Sequence, residues 1–226
     1  MRKLIFLGLA ITLTISCEKD SPNDPAETNY YPLEIGNYWI YRHFKMPNEG
    51  GEVAMFNYDS VFIDQDSVIN GNKYFVIKKV GYSTSETNPD GFRINDDTGQ
   101  VQIVELLRDS SGYIVNDKGH IRFAENNFTD TLAYQNEIVD GLKHFTISMK
   151  MEKPDDEVSV PAGTFNVLNF KGTAKLYYRE GNIEEMHENY LNCYFSNRIG
   201  KILDTYLFYS MPSVQFEKRL LRYRVA

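Results

Sequence analysis

Phe145-Thr-Ile-Ser-Met-Lys-Met151 places Phe145, Ile147, Met149 and Met151 on one side and Thr146, Ser148 and Lys150 on the other. A period of two is the repeat of a β-strand with one buried face. The same period recurs on both sides of this stretch. Towards the N-terminus, Asn37-Tyr-Trp-Ile-Tyr-Arg-His-Phe-Lys45 sets Trp39 and Tyr41 on one face and Tyr38, Ile40 and Phe44 on the other. Lys73-Tyr-Phe-Val-Ile-Lys78 reads as a strand returning from the Asn70-Gly71 turn. Towards the C-terminus, Asn166–Lys171 and Ala174–Arg179 read as consecutive stretches of one long strand or a bent pair. Ile202–Tyr209 and Leu220–Val225 complete the set.

Turn chemistry separates these runs: Asn48-Glu-Gly-Gly51, Asn88-Pro-Asp-Gly91, Asp96-Asp-Thr-Gly99, Asp109-Ser-Ser-Gly112, Asp117-Lys-Gly119, Asp140-Gly141 and Gly181-Asn182. Gly supplies positive φ at no steric cost and Asn or Asp tolerates it, so these are hairpin signals. Aromatic residues make up 14% of the chain, and they suit a pleated, half-buried surface. One stretch competes. Ile183, Met186, His187, Tyr190 and Leu191 fall at helical spacing, but the preceding Gly181-Asn182 turn and the β-like Tyr190–Phe195 run favour a hairpin strand. The expectation is a mainly β, antiparallel domain with few or no helices.

The N-terminus has a different composition. Arg2 and Lys3 precede an uncharged apolar run, Leu4 to Ile15, which ends at Ser16 and Cys17. Basic start, apolar middle and small-residue end are the order of a secretory signal peptide. Twelve residues make about 18 Å of helix, short of the ~30 Å that spans a bilayer. The Leu13–Cys17 stretch resembles the lipobox of bacterial lipoproteins, with Thr14 where Leu is usual, and the resemblance implies a diacylglycerol on the Cys17 thiol. Glu18-Lys-Asp20 is similar to the charged signal that follows the lipid cysteine in some surface-exported lipoproteins. Ser21 to Asn29 holds no large apolar residue and so cannot offset its own ordering entropy. The chain therefore divides into a signal peptide (1–16), a lipidated flexible tether (17–29) and a single β domain (30–226).

Removing the first sixteen residues leaves 210, enough for a core without disulfides. Cys193 is then the one remaining cysteine, and its place beside Leu191 and Phe195 in the alternation predicts a buried, inert thiol. Loss of Arg2 and Lys3 leaves 22 cations against 31 acids, a net charge of −9. That balance disfavours phosphate backbones and excludes nucleic acid as the expected partner. Lys218, Arg219, Arg222 and Arg224 alternate with Leu221, Tyr223 and Val225 and read as a solvated strand face.

Three patches resemble uncharacterised outer-membrane and surface lipoproteins of Gram-negative bacteria. Tyr31-Pro-Leu-Glu-Ile-Gly-Asn-Tyr-Trp-Ile-Tyr41 is similar to their "PLxxGNxWxY" opening. Val160-Pro-Ala-Gly-Thr-Phe165 is similar to their "VPAGTF" turn, and Tyr194-Phe-Ser-Asn-Arg-Ile-Gly-Lys-Ile202 to their "YyakgvGlvk" strand pair, with Asn197 and Arg198 where Lys-Gly is commoner. The resemblance implies one strongly curved antiparallel sheet, half-barrel or sandwich, similar to lipoprotein carriers, at the outer membrane on its periplasmic or surface face.

Residues that could carry chemistry are scattered. His43, His120, His144 and His187 form no metal-binding pattern. Glu184 and His187 would share one face only on a helix, and di-metal bundles need that pair twice. The acidic groups Asp64/Asp66, Asp96/Asp97 and Asp155-Asp-Glu157 lack the spacing of a calcium loop. There is no nucleophile elbow, phosphate-cradling loop or dinucleotide fingerprint, so no catalytic residue, metal or cofactor is assigned. Asp59-Ser-Val61, Asp66-Ser-Val68 and Asp130-Thr-Leu132 resemble O-glycosylation triplets of some periplasmic and surface proteins. The expected role is non-enzymatic binding of a small apolar ligand, a glycan or an envelope protein, on an aromatic-lined concave face. The alternatives are an envelope-polymer hydrolase whose site assembles in space, for instance a His within reach of a carboxylate, and a structural or assembly role.

Overall fold

The computed structural model describes residues 28–226 apart from 48–49, 86–87, 94–99, 140–141, 155 and 181–182. The signal peptide, Cys17, most of the tether and the Asp96-Asp97 turn lie outside the described residues. So does the turn at Gly181-Asn182.

Among the described residues, alternation is realised as sixteen strands. The first half of the chain gives β1 (Tyr38–Pro47), β2 (Val53–Ile69), β3 (Asn72–Ser85), β4 (Asn88–Arg93), β5 (Gln102–Ser110), β6 (Tyr113–Asn116) and β7 (Ile121–Ala124). The second gives β8 (Ala133–Val139), β9 (Leu142–Glu152), β10 (Val158–Val160), β11 (Gly163–Phe165), β12 (Val167–Glu180), β13 (Ile183–Leu191), β14 (Cys193–Ser196), β15 (Gly200–Leu207) and β16 (Val214–Arg224). Fourteen of them form one strongly curved antiparallel sheet that is nearly a barrel. Its order is β7-β6-β5-β3-β2-β1-β16-β15-β14-β12-β9-β8, with β4 beside β3 and β13 beside β12. The Val160–Phe165 patch makes the separate β10–β11 hairpin, which docks by Ala162 N–H donating to Leu220 O at 3.0 Å. No helix occurs among the described residues.

Asn88-Pro-Asp-Gly91, expected as a turn, falls in strand β4, whereas Asn70-Gly71 turns as its residue types require. Asn70 (φ 49°) and Gly71 (φ 77°) both take the left-handed conformation of a two-residue hairpin between β2 and β3. The stretch with competing helical spacing is strand β13, paired along its whole length with β12. The two runs at 166–179 are one strand, β12. Its start pairs β14 and its remainder, from Gly172 onward, pairs β13. Gly172 stands at that change of partner, where a Cβ would lie 2.6 Å from Met149 Sδ and 3.2 Å from Leu191 Cβ.

The concave side holds the core: Trp39, Tyr41, Ile63, Ile77, Leu107, Ile114, Phe123, Met151, Phe170, Phe195, Ile202 and Leu220 are all buried. Asn37 fastens both ends of the domain to it. Its amide donates to Pro32 O at 3.0 Å, and its side-chain oxygen accepts from Ala226 N at 2.9 Å.

Two stretches depart from simple alternation. Thr146, on the expected polar side of β9, is buried between Lys175 of β12 and Asn136 of β8. On β16 the expected solvated basic face forms only at its end, where Arg222 and Arg224 are exposed. Lys218 turns inward, while the Arg219 guanidinium sits 4.5 Å from the centre of the Phe44 ring. Leu221, Tyr223 and their neighbours are the more open residues. The register of β1 and β16 slips at Ile40/Tyr41, skipping Leu221, so an alternation counted along β16 alone assigns the wrong sides.

Candidate binding site

The first and third sequence patches meet on the concave face. The indole N–H of Trp39 donates to Ile199 O at 2.6 Å, and the Tyr41 hydroxyl donates to Lys201 O at 2.9 Å. Gly200 (φ 95°) lies between them, because a Cβ there would press on Pro32 at 3.3 Å and on the Trp39 ring at 3.5 Å. With both polar tips spent on the β14–β15 turn, the two aromatic side chains offer only their apolar bodies to the hollow beside them.

That hollow has a volume of about 180 Å³. Its apolar wall is Trp39, Tyr41, Val61, Ile77 and Leu107, with Tyr31 and the exposed Val104 also lining it. The volume is close to that of an engineered apolar cavity able to take one benzene, and below the usual range for drug-sized ligands.

A charged row crosses five neighbouring strands at the same place. Asp59 of β2 is buried, with His43 Nε2 of β1 at 3.3 Å, Lys218 Nζ of β16 at 2.7 Å and Lys79 Nζ of β3 at 4.0 Å. His43 Nδ1 lies 2.8 Å from the hydroxyl of Tyr206 on β15. Lys218 also sits 5.6 Å from the centre of the Tyr206 ring. Nearby, Lys201 pairs with Asp204 at 3.1 Å. Glu105 is held by Arg122 Nε at 2.6 Å and Asn116 Nδ2 at 2.8 Å. Behind Asp59 and Lys79 lies a second hollow of about 130 Å³, against Tyr58, Tyr82 and Gln102.

The expected hydrolase geometry, a His within reach of a carboxylate, is therefore present. Its electrostatics run against proton transfer. Burial by itself would raise the Asp59 carboxyl, but the contacts from His43 and Lys218 overcome it and hold Asp59 well below the usual carboxylate range. It is an anion throughout the neutral region and cannot serve as an acid there. Burial, then the charges of Asp59 and Asp204, pushes the Tyr206 phenol up to about 12, so it is not an activated nucleophile. Cys193 is similarly disarmed, with burial the main cause of a rise to about 12.

The remaining sequence candidates are apart from this site. His144 stacks on Tyr209 and His187 meets Tyr178 edge-on. His187 lies on strand β13, not on the helix that would bring positions 184 and 187 to one face. Asp64 and Asp66 pair with Lys78 and Lys73. Among the described residues no group of three or more His, Cys, Asp or Glu is placed to hold a metal ion. In its triplet Asp59 is a buried strand residue, whereas Thr131 of the Asp130 triplet is exposed. A larger hollow of about 600 Å³ lies where the chain enters the domain. Residues 28–33 cross it, with Tyr30 stacked on Phe123, Asn29 O accepting from Arg198 N at 2.7 Å and Thr28 bonded to Glu125.

No protein-family model matches the chain, and no curated protein matches it. Two solved structures share its path loosely. One, named a "putative lipoprotein", comes from Parabacteroides distasonis. It is 13% identical, aligns over 87% of this chain and 99% of its own, and has a TM-score of 0.44. The other, from Bacteroides fragilis, is named a "putative exported protein with YmcC-like fold". It is 12% identical over 86% and 98% of the two chains, with a TM-score of 0.46.

Proposed function

We propose that the protein is a lipid-anchored cell-envelope binding module that holds a small ligand in the hollow beside Trp39 and Tyr41. The observation that carries this reading is the wall itself. Two large aromatic side chains have their polar tips satisfied within the protein, so their free surface is suited to an apolar body and to little else. Charged groups at the rim would orient that body. The anchoring half of the proposal rests on the basic-apolar-Cys17 order of the N-terminus and on the tether composition. The outer membrane is the proposed home, with acyl chains on Cys17 as the attachment. Hydrolysis is the weaker reading, because Asp59 is locked as an anion and Tyr206 as a phenol.

Mass spectrometry of the protein purified from its native membrane tests both halves at once. The expected result is an N-terminal acylated Cys17 and a co-purifying small molecule. An unmodified Cys17 thiol would remove the anchoring half. Turnover of an envelope polymer that is lost on Asp59→Asn substitution would replace binding by catalysis.

A further inference from the structure

We infer that the Trp39 hollow selects a small organic monoanion, a carboxylate carried on a body no larger than one ring, with Lys79 as the group that receives the charge. The inference deepens the proposed binding role and rests on it. It follows from pairing the charges around the hollow, whose lining holds three carboxylates (Asp59, Glu105 and Asp204) and three lysines (Lys79, Lys201 and Lys218), with Arg122 reaching Glu105 from outside that lining. Lys201 is matched by Asp204 at 3.1 Å, and Glu105 by Arg122 at 2.6 Å. Asp59 faces two lysines. Lys218 stands 2.7 Å from its Oδ2, while Lys79 comes no closer than 4.0 Å to Oδ1. Among the described residues, one carboxylate between two ammonium groups leaves one positive charge without a carboxylate of its own, and the looser partner is Lys79.

Position agrees with charge. Lys79 lines both the hollow of about 180 Å³ and the adjoining one of about 130 Å³, and its side chain is 30% exposed. Its side chain is therefore partly shielded from water, where an ion pair is stronger than on an open surface. The apolar wall sets the body, since Trp39, Tyr41, Val61, Ile77 and Leu107 present no free donor to it. The volume sets the size: one ring or a short aliphatic chain fits, and a diacyl lipid does not.

Benzoate, benzamide and benzamidine share a ring and differ in charge, so they separate the parts of this inference. The mature full-length chain, in phosphatidylcholine vesicles, is titrated with each while the emission of Trp39 is followed. Trp39 is the single Trp of the chain. Benzoate is expected to bind more tightly than benzamide, and benzamidine least. Lys79→Met should weaken benzoate by about tenfold or more and leave benzamide unchanged, with Lys79→Arg restoring benzoate. Equal binding of benzoate and benzamide, or a preference for benzamidine, overturns the assignment of a monoanion and leaves the binding role standing. No response to any of the three at millimolar concentration overturns both.

Discussion

Trp39 and Ile199 are joined by a 2.6 Å hydrogen bond from indole to carbonyl across 160 positions of sequence. The contact links the first strand of the domain to the β14–β15 turn, whose Gly200 and Lys201 line the hollow together with Trp39. Trp39 is 5% exposed, so water cannot replace the lost donor if the indole is removed. Trp39→Phe is expected to lower stability by about 1–3 kcal/mol, read from the urea midpoint by circular dichroism.

Asp59→Asn tests the charged row. Removing the carboxylate leaves Lys218, Lys79 and His43 facing a neutral amide, and breaking a buried pair in this way costs about 3–5 kcal/mol. The Asp59→Asn, Lys218→Met double variant should recover a large part of that loss. A double variant as unstable as the sum of the two singles would show that the row is not an interacting unit.

The same residue predicts a pH dependence. Its folded carboxyl lies below the unfolded value of about 3.9, so its contribution is complete above that value and is lost as pH falls through the lower, folded one. Thermal melts of the wild type should therefore drop steeply below about pH 4. The Asp59→Asn protein should show a shallower acid limb, and parallel limbs would count against the assigned direction.

Gly200→Ala addresses the junction of the two aromatic patches. A φ of 95° is open to glycine and strained for alanine, and the new methyl would meet Pro32 and the Trp39 ring. A loss of about 1–3 kcal/mol and a changed Trp39 emission are expected together. Emission unchanged in a destabilised variant would separate the turn from the hollow.

Cys193 should be silent towards a thiol reagent in the folded protein and react fully after unfolding, since it is 8% exposed and its thiol is held near 12. With Cys17 acylated, unfolded protein would yield one reactive thiol per chain, and without acylation two.

Much of the fold was legible because each local signal was consistent with its neighbours. Asn70-Gly71 demanded a two-residue hairpin, and Phe145–Met151 carried its alternation into β9. Even the stretch with helical spacing at 183–191 is a strand, paired with β12. The site was not legible. Tyr206, Lys218, His43, Asp59 and Lys79 come from five strands that neighbour one another only in the folded sheet. Asp59 entered the sequence reading solely through a glycosylation-like triplet, and Lys218 as part of a solvated face. A register slip of one residue reverses which side a strand residue occupies, and nothing in the β16 sequence announces the slip opposite Ile40. The aromatic patches were visible, yet read alone they are strand starts; only their meeting makes a wall.

Tyr31 borders both the Trp39 hollow and the larger one crossed by residues 28–33. Its neighbour Pro32 is pinned by Asn37, which also grips the backbone of Ala226. A pull on the chain ahead of Thr28 thus loads the Thr28–Glu125 and Asn29–Arg198 bonds and the Tyr30–Phe123 stack before it arrives at the phenol ring shared by two chambers. Were the chain held through Cys17 as proposed, bearing that load and shaping the interior would fall on adjoining residues.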